Sequence, residues 1–155
     1  MTRRDELIAY LDELLDSPGR ADYGPNGLQV PGADEVELVV TGVSAHRELF
    51  EQAAAAGAQF VLCHHGIFWG GPLGPVTQQL KERLKLLFDN DMTLAAYHLP
   101  LDAHPEVGNN ALICAGLGLV ILALGLFSTS PRATRSAERL APLIDASQWE
   151  GVRVR

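Results

Sequence analysis

Residues 36–66 read VELVVTGVSAHRELFEQAAAAGAQFVLCHHG, and the fold is decided there. Val36–Val40 is an apolar, β-branched run that predicts a strand. After "TGVSA", a helix is predicted over Ser44–Ala56, with Gly57 placed to cap its end. Gln59–Cys63 predicts a second strand. It finishes on two adjacent histidines, His64 and His65, followed by a glycine. The stretch is a strand–helix–strand unit with imidazoles at its downstream end.

The rhythm continues outward. Gln78–Asn90 predicts another helix, with Leu80, Leu84, Leu87 and Phe88 on one face, and Met92–Tyr97 predicts a third strand. The order β-α-β-α-β implies parallel strands joined by helical crossovers, an α/β fold. Upstream, Thr2 is placed to cap a helix over Arg3–Asp16, whose apolar stripe is Leu7, Ile8, Leu11, Leu14 and Leu15. Pro18-Gly19 stops it. "DYGPNGLQV" at 22–30 reads as a turn-rich loop, in which Asn26 and Gln29 are candidate hydrogen-bonding groups of a pocket.

The chain has 155 residues, 47% of them apolar and 20% charged, which suits one globular domain able to bury a core without a structural metal. Its net charge of −7 argues against a nucleic-acid partner. Residues 1–110 hold 16 acids and 7 bases, whereas residues 111–155 hold 3 acids and 5 bases, so the chain changes character near residue 110. Two cysteines, Cys63 and Cys114, form neither a disulfide framework nor a zinc-finger spacing, and a reducing cytoplasm is the expected compartment. The first residues do not read as a signal peptide. Residues 111–127 are 17 uncharged residues in a row, at the lower limit for a membrane span, but three glycines and the preceding polar GNN favour a buried helix-turn-strand or a corrupted segment.

In open α/β sheets, ligands bind beyond the carboxyl ends of the strands. The first strand delivers Thr41-Gly42-Val43-Ser44 there, the second His64-His65, and the third His98 and then Asp102. Side-chain alternation would send His64 and His65 to opposite faces. Gly66 suggests the strand is already ending, so that both rings converge. His64, His65 and Asp102 are ligand types for a divalent transition metal; Zn, Fe, Mn or Ni all fit such a site. A pair of ions about 3.5–4 Å apart would polarise a substrate oxygen and activate water. His98 reads as a partner supporting the metal ligands, as an acid/base group of suitable pKa, or as a packing residue against Pro100. His104 reads as a loop residue and His46 as a solvated or capping one. Cys63 reads as buried and inert, and Phe68 and Trp69 as packing residues, with a base-stacking platform as the alternative. Asn109 or Asn110 is placed to cap a following helix. P-loop, dinucleotide-binding, nucleophile-elbow and HExxH motifs are all absent.

"DYGPNGLQV", "VTGVSA", "HHGIFW", "KERLKLLFDNDMTLAAYHLPLDAHPEVGNNA" and "LGL" occur in this order. Together they resemble the NIF-three-like dinuclear-metal family, also labelled GTP cyclohydrolase I type 2 homologues, over about residues 5–119. The resemblance implies an α/β NIF-three-like fold in a toroidal homohexamer, with two metal ions per subunit facing a central cavity. It carries the metal role to His64, His65 and Asp102, and places His98 at the lining of the site. The cyclohydrolase label implies hydrolytic opening of a purine nucleotide ring.

The chain departs from that pattern after Leu119. The family's second half supplies a His-x3-Glu pair, and no histidine follows His104 here. Glu106, Glu138, Asp145 and Glu150 have no matching histidine. The expected organisation is thus a metal-binding part over residues 1–119 and an unalignable tail over 120–155, as in a truncated or frameshifted member. Three readings stay open: a metal-dependent hydrolase acting on a nucleotide ring, a non-catalytic metal-binding assembly protein, or a product with an incomplete metal site.

Overall fold

The structure, a computed structural model, describes residues 1–70 and 74–117. The chain forms two compact units, Met1–Pro100 and a second that begins at Leu101. The tail from residue 120, with Glu138, Asp145 and Glu150, lies outside the described residues, as does the apolar run from residue 118 onward. Among the described residues no helix is long and apolar enough to cross a membrane.

The first unit runs β1 (Thr2–Arg3), α1 (Arg4–Leu15), β2 (Gly27–Val30), β3 (Glu35–Val36), β4 (Val39–Ser44), α2 (Arg47–Ala56), β5 (Phe60–His65), α3 (Gln78–Asp89) and β6 (Thr93–Ala96). Four strands make one sheet in the order β2-β6-β5-β4. β4, β5 and β6 are parallel, and β2 joins β6 antiparallel. The α/β expectation holds, with parallel βαβ units. Successive crossovers of one hand put their helices on one face, and α2 and α3 pack against each other.

Several boundaries differ from the sequence reading. The first parallel strand is Val39–Ser44, so "TGVS" lies within it, and Glu35–Val36 instead pairs with β1 in a separate ribbon. That pairing takes Thr2 away from the helix. The N-cap of α1 is Arg3, which makes no side-chain cap bond. α2 starts later than expected because His46 caps it, its Nδ1 accepting from the Leu49 N–H at 3.1 Å. Gly57 caps the other end at φ 75°, as read. The largest change is at 22–30, where the expected loop contains the strand β2.

The core is made by Phe50 and Ala53 of α2, Leu87 of α3, Phe60, Val61 and Cys63 of β5, and Met92 and Leu94 beside and within β6, all buried. Each large side chain among them contributes about 1.5–3 kcal/mol relative to exposure. All of β6 is buried, as befits a strand flanked by β2 and β5. Leu80 and Leu84 pack on this core, but Phe88 is exposed; a turn of about 100° per residue carries it off the face that Leu87 occupies.

Helix α4 (Leu99–Asp102) contains the junction of the units, and α5 (Asn109–Gly116) belongs to the second. There His104 closes a turn, its Nδ1 accepting from the N–H groups of Glu106 and Val107, each at 3.1 Å. The N-cap of α5 is Gly108, without a side-chain bond. The two asparagines expected as caps turn to Asp102 instead. Asn109 Nδ2 donates to its Oδ1 at 3.0 Å, and Asn110 Nδ2 to its carbonyl at 3.3 Å.

Candidate metal centre

The ladder between β5 and β6 ends at Cys63↔Ala96, while that between β4 and β5 continues to Ser44↔His65. His64 and His65 are therefore the last residues of β5, and His98 leaves β6 two residues past its end. The three imidazoles meet at one end of the sheet. Ring centroids are 4.4 Å apart for His64–His65, 4.9 Å for His64–His98 and 5.5 Å for His65–His98. The strand ends on His65, directly before Gly66, and the two rings converge, as the glycine suggested.

In each ring Nδ1 is committed. That of His64 donates to the Tyr97 carbonyl at 3.1 Å, and that of His98 to Asp22 Oδ1 at 2.8 Å. His65 Nδ1 lies 3.0 Å from Ser44 Oγ. For His64 and His98 the partner on Nδ1 is an acceptor, which holds the proton there and leaves the lone pair on Nε2; for His65 the Ser44 hydroxyl can donate or accept.

Asp22 is the residue that sequence reasoning missed. Its side chain is 1% exposed. Besides His98, it accepts from the N–H of Tyr23 at 2.6 Å, Asn26 Nδ2 at 2.9 Å and the Leu99 N–H at 2.8 Å. Burial alone would raise its pKa. The hydrogen bonds from His98, Asn26, Leu99 and Tyr23 outweigh burial and hold the carboxyl below its ordinary value. Its partner His98 lies 76 positions away, so no local pattern could have announced the pair.

Asn26 and Gln29 do form hydrogen bonds at this site, but to the protein itself. Asn26 Oδ1 accepts from the His98 N–H at 2.8 Å. The register of β2 slips between Leu28 and Val30, which frees Gln29 from the ladder. Its Oε1 accepts from the Ile67 N–H at 2.9 Å, and its Nε2 donates to the Pro25 carbonyl at 2.9 Å. Gly66 is required by this contact, since a Cβ there would lie 2.2 Å from Gln29 Oε1. Phe68 packs on the core as read, whereas Trp69 is 45% exposed and stands 5.1 Å from His98 in a T-shaped contact. Burial pushes the Cys63 thiol up to about 12, so it is inert as expected.

Of the four residues read as site residues, His64, His65 and His98 come together. Asp102 belongs to the second unit and is described there. The donor chemistry fits a divalent transition metal: the ligating atoms of His64, His65 and His98 all lie within 4.8 Å of one another. Two nitrogens each about 2.0–2.1 Å from one ion can stand at most about 4.2 Å apart. A spread within 4.8 Å is close to that limit, so small side-chain rotations suffice to bring the three nitrogens onto one ion.

A match to the Duf34/NIF3 (NGG1p interacting factor 3) family covers residues 2–129. The chain belongs to this family. The match ends ten residues beyond Leu119. A relative from Escherichia coli strain K12, described as a GTP cyclohydrolase 1 type 2 homolog, is 45% identical over 120 residues, which are 77% of this chain and 49% of that protein. The solved structure titled protein ybgI, of unknown function, is 46% identical with a TM-score of 0.73, over 76% of this chain and 47% of that one. Protein TTHA1606 from Thermus thermophilus is 45% identical with a TM-score of 0.70, over 77% of this chain and 49% of that one. The chain spans about half the length of these NIF3-like relatives.

Proposed function

We propose that this chain binds a divalent transition-metal ion through Nε2 of His64, His65 and His98. The observation that carries the reading is the gathering of three ligating atoms within 4.8 Å, each ring held by a partner on Nδ1. The identity of the ion follows availability as much as geometry, because imidazole sites accept Zn, Fe, Mn and Ni. Asp102 keeps the ligand role that the family resemblance implies, as a separate element of the proposal. Three histidines cannot complete two coordination spheres, so one ion per chain is the expected load, rather than the pair of the family pattern.

The name of the Escherichia coli relative favours hydrolysis of a nucleotide ring as the activity. A bound divalent ion would supply Lewis acidity for that reaction. This chain's residues would orient the ion and hold protons: Asp22 keeps the proton of His98 on Nδ1, and Tyr97 does the same for His64 through its carbonyl. A second reading makes His98 a proton shuttle rather than a ligand. The 2.8 Å pair with Asp22 favours it, because a carboxylate behind an imidazole stabilises the imidazolium. The family resemblance adds assembly as a homohexamer in the cytoplasm, which size-exclusion chromatography would examine.

Elemental analysis after dialysis against zinc tests the binding reading. One zinc per chain, lost in His64→Ala, is expected; two tightly held ions per chain, or equal zinc in the variant, would overturn it. Turnover of GTP by the zinc-loaded protein, compared with His64→Ala, tests the hydrolase. Equal rates in both would remove metal-dependent hydrolysis.

A further inference from the structure

A cavity of about 810 Å³ opens beside the histidines, lined by Asp22, Tyr23, Gly24, Pro25, Phe68, Trp69 and Gly70. That volume lies in the range of small-molecule sites, which are largely apolar with a few polar groups to fix orientation. Its two walls are separate loops pinned together. The Gly70 N–H donates to the Tyr23 carbonyl at 2.6 Å. A Cβ on Gly24 would meet the Phe68 carbonyl oxygen at 2.5 Å, so only glycine lets the loops approach this closely.

Two aromatic rings of these walls remain open to a ligand. Tyr23 is 71% exposed and Trp69 45% exposed. Neither placement follows from core packing. The Trp69 indole is nonetheless fixed, because its Nε1 donates to the Gly66 carbonyl at 3.0 Å, in the turn that directly follows His65. Both rings also border the histidines: Tyr23 is 6.2 Å from His98, and Trp69 is 5.8 Å from His65.

We infer that the Tyr23–Trp69 cavity is the binding site for a planar heteroaromatic ring, whose polar edge it presents toward His65 and His98. Exposed aromatic rings held rigid beside a polar cluster recognise a π-face by stacking, and such stacking tolerates many ring types. The polar edge of the ligand is then selected by the histidines and the ion they hold. This part of the inference rests on the metal reading; the stacking does not.

The test is fluorescence of Trp69 in the full chain carrying Trp149→Phe, so that Trp69 is the only indole. Guanosine, uridine and ribose 5-phosphate are titrated with and without zinc, and zinc content is measured on the same samples. Saturable quenching by guanosine, with none by ribose 5-phosphate, is expected. By equilibrium dialysis, Trp69→Leu weakens guanosine binding about tenfold or more, and Trp69→Phe restores most of it. Tyr23→Ser, at an exposed position, weakens binding less and guards against a folding defect in the Trp69 variant. No guanosine binding by zinc-loaded protein overturns the ring site and leaves the metal reading standing. Guanosine quenching in protein that takes up no zinc when zinc is supplied supports the ring site while the metal reading fails. Equal quenching by ribose 5-phosphate, or a spectral change driven by protein concentration alone, overturns the ring site.

Discussion

The end of β5 and the segment from Asp22 to Gln29 border the same site, and they use polar groups in opposite ways. At the end of β5, like groups are crowded: with His98, His64 and His65 bring three imidazoles together. In the Asp22–Gln29 segment, unlike groups are matched. Asp22 meets four donors, Asn26 a backbone N–H, and Gln29 one donor and one acceptor. Among the described residues, no buried side-chain nitrogen or oxygen lacks a partner. The first region has the chemistry of a ligand shell and the second that of a scaffold. The comparison teaches that the scaffold aims the shell, since Asp22 and Asn26 hold His98 and Gln29 holds the turn after His65.

Removing a shell residue should have the largest effect. His64→Ala or His65→Ala is expected to lower zinc affinity by more than the about 10–100-fold typical of losing a supporting hydrogen bond. Competition with a chromogenic chelator measures it, and a smaller loss would erase the distinction between shell and scaffold. Asp22→Asn keeps the shape but removes the charge and sets an NH2 donor in place of one accepting oxygen, so its four donors can no longer all be met. It should cost about 10–100-fold in the same assay, with the fold intact by circular dichroism. An unchanged affinity would show that His98 needs no orientation.

The scaffold is tested more gently through Gly66. In Gly66→Ala the new methyl displaces the Gln29 amide, which takes with it the bonds to Ile67 and Pro25. A loss of about 1–3 kcal/mol in chelated protein is expected from urea unfolding. Gln29→Ala should lose a similar amount, and the double variant little more than either, because both remove one contact. Additive losses would mean that the two residues act separately.

The smallest effect is in pH. Against the upward push of burial, hydrogen bonds hold the folded pKa of Asp22 below its ordinary value of 3.8. Its contribution to stability is therefore present above that ordinary value and is lost as pH falls through the lower, folded one. The gap in melting temperature between chelated wild type and Asp22→Asn should hold steady above about pH 5 and narrow under more acid conditions. A gap that widens on acidification would reverse the assigned direction.

Legibility in the sequence followed the range of the interaction. The units β4-α2-β5 and β5-α3-β6 were readable because apolar runs, helical stripes and the Gly57 cap are local signals. The histidines at the end of β5 were readable as ligand types for the same reason. β2 was not, since its four residues sit among turn formers and are strand only because β6 offers them a ladder. Thr2 failed as a cap because Val36, far along the chain, pairs with it. Asp22 and the exposed position of Trp69 share this origin: both depend on where a distant segment ends up, and neither leaves a periodic trace.

X-ray absorption at the zinc edge, on zinc-loaded wild type and His98→Ala, tests most directly whether the histidines form the shell. Coordination by His64, His65 and His98 predicts strong imidazole scattering from nitrogens at about 2.0–2.1 Å, with roughly one ring fewer in His98→Ala. A wild-type spectrum without imidazole scattering would contradict metal binding at this site. An unchanged ring count in the variant would move His98 from ligand to proton shuttle.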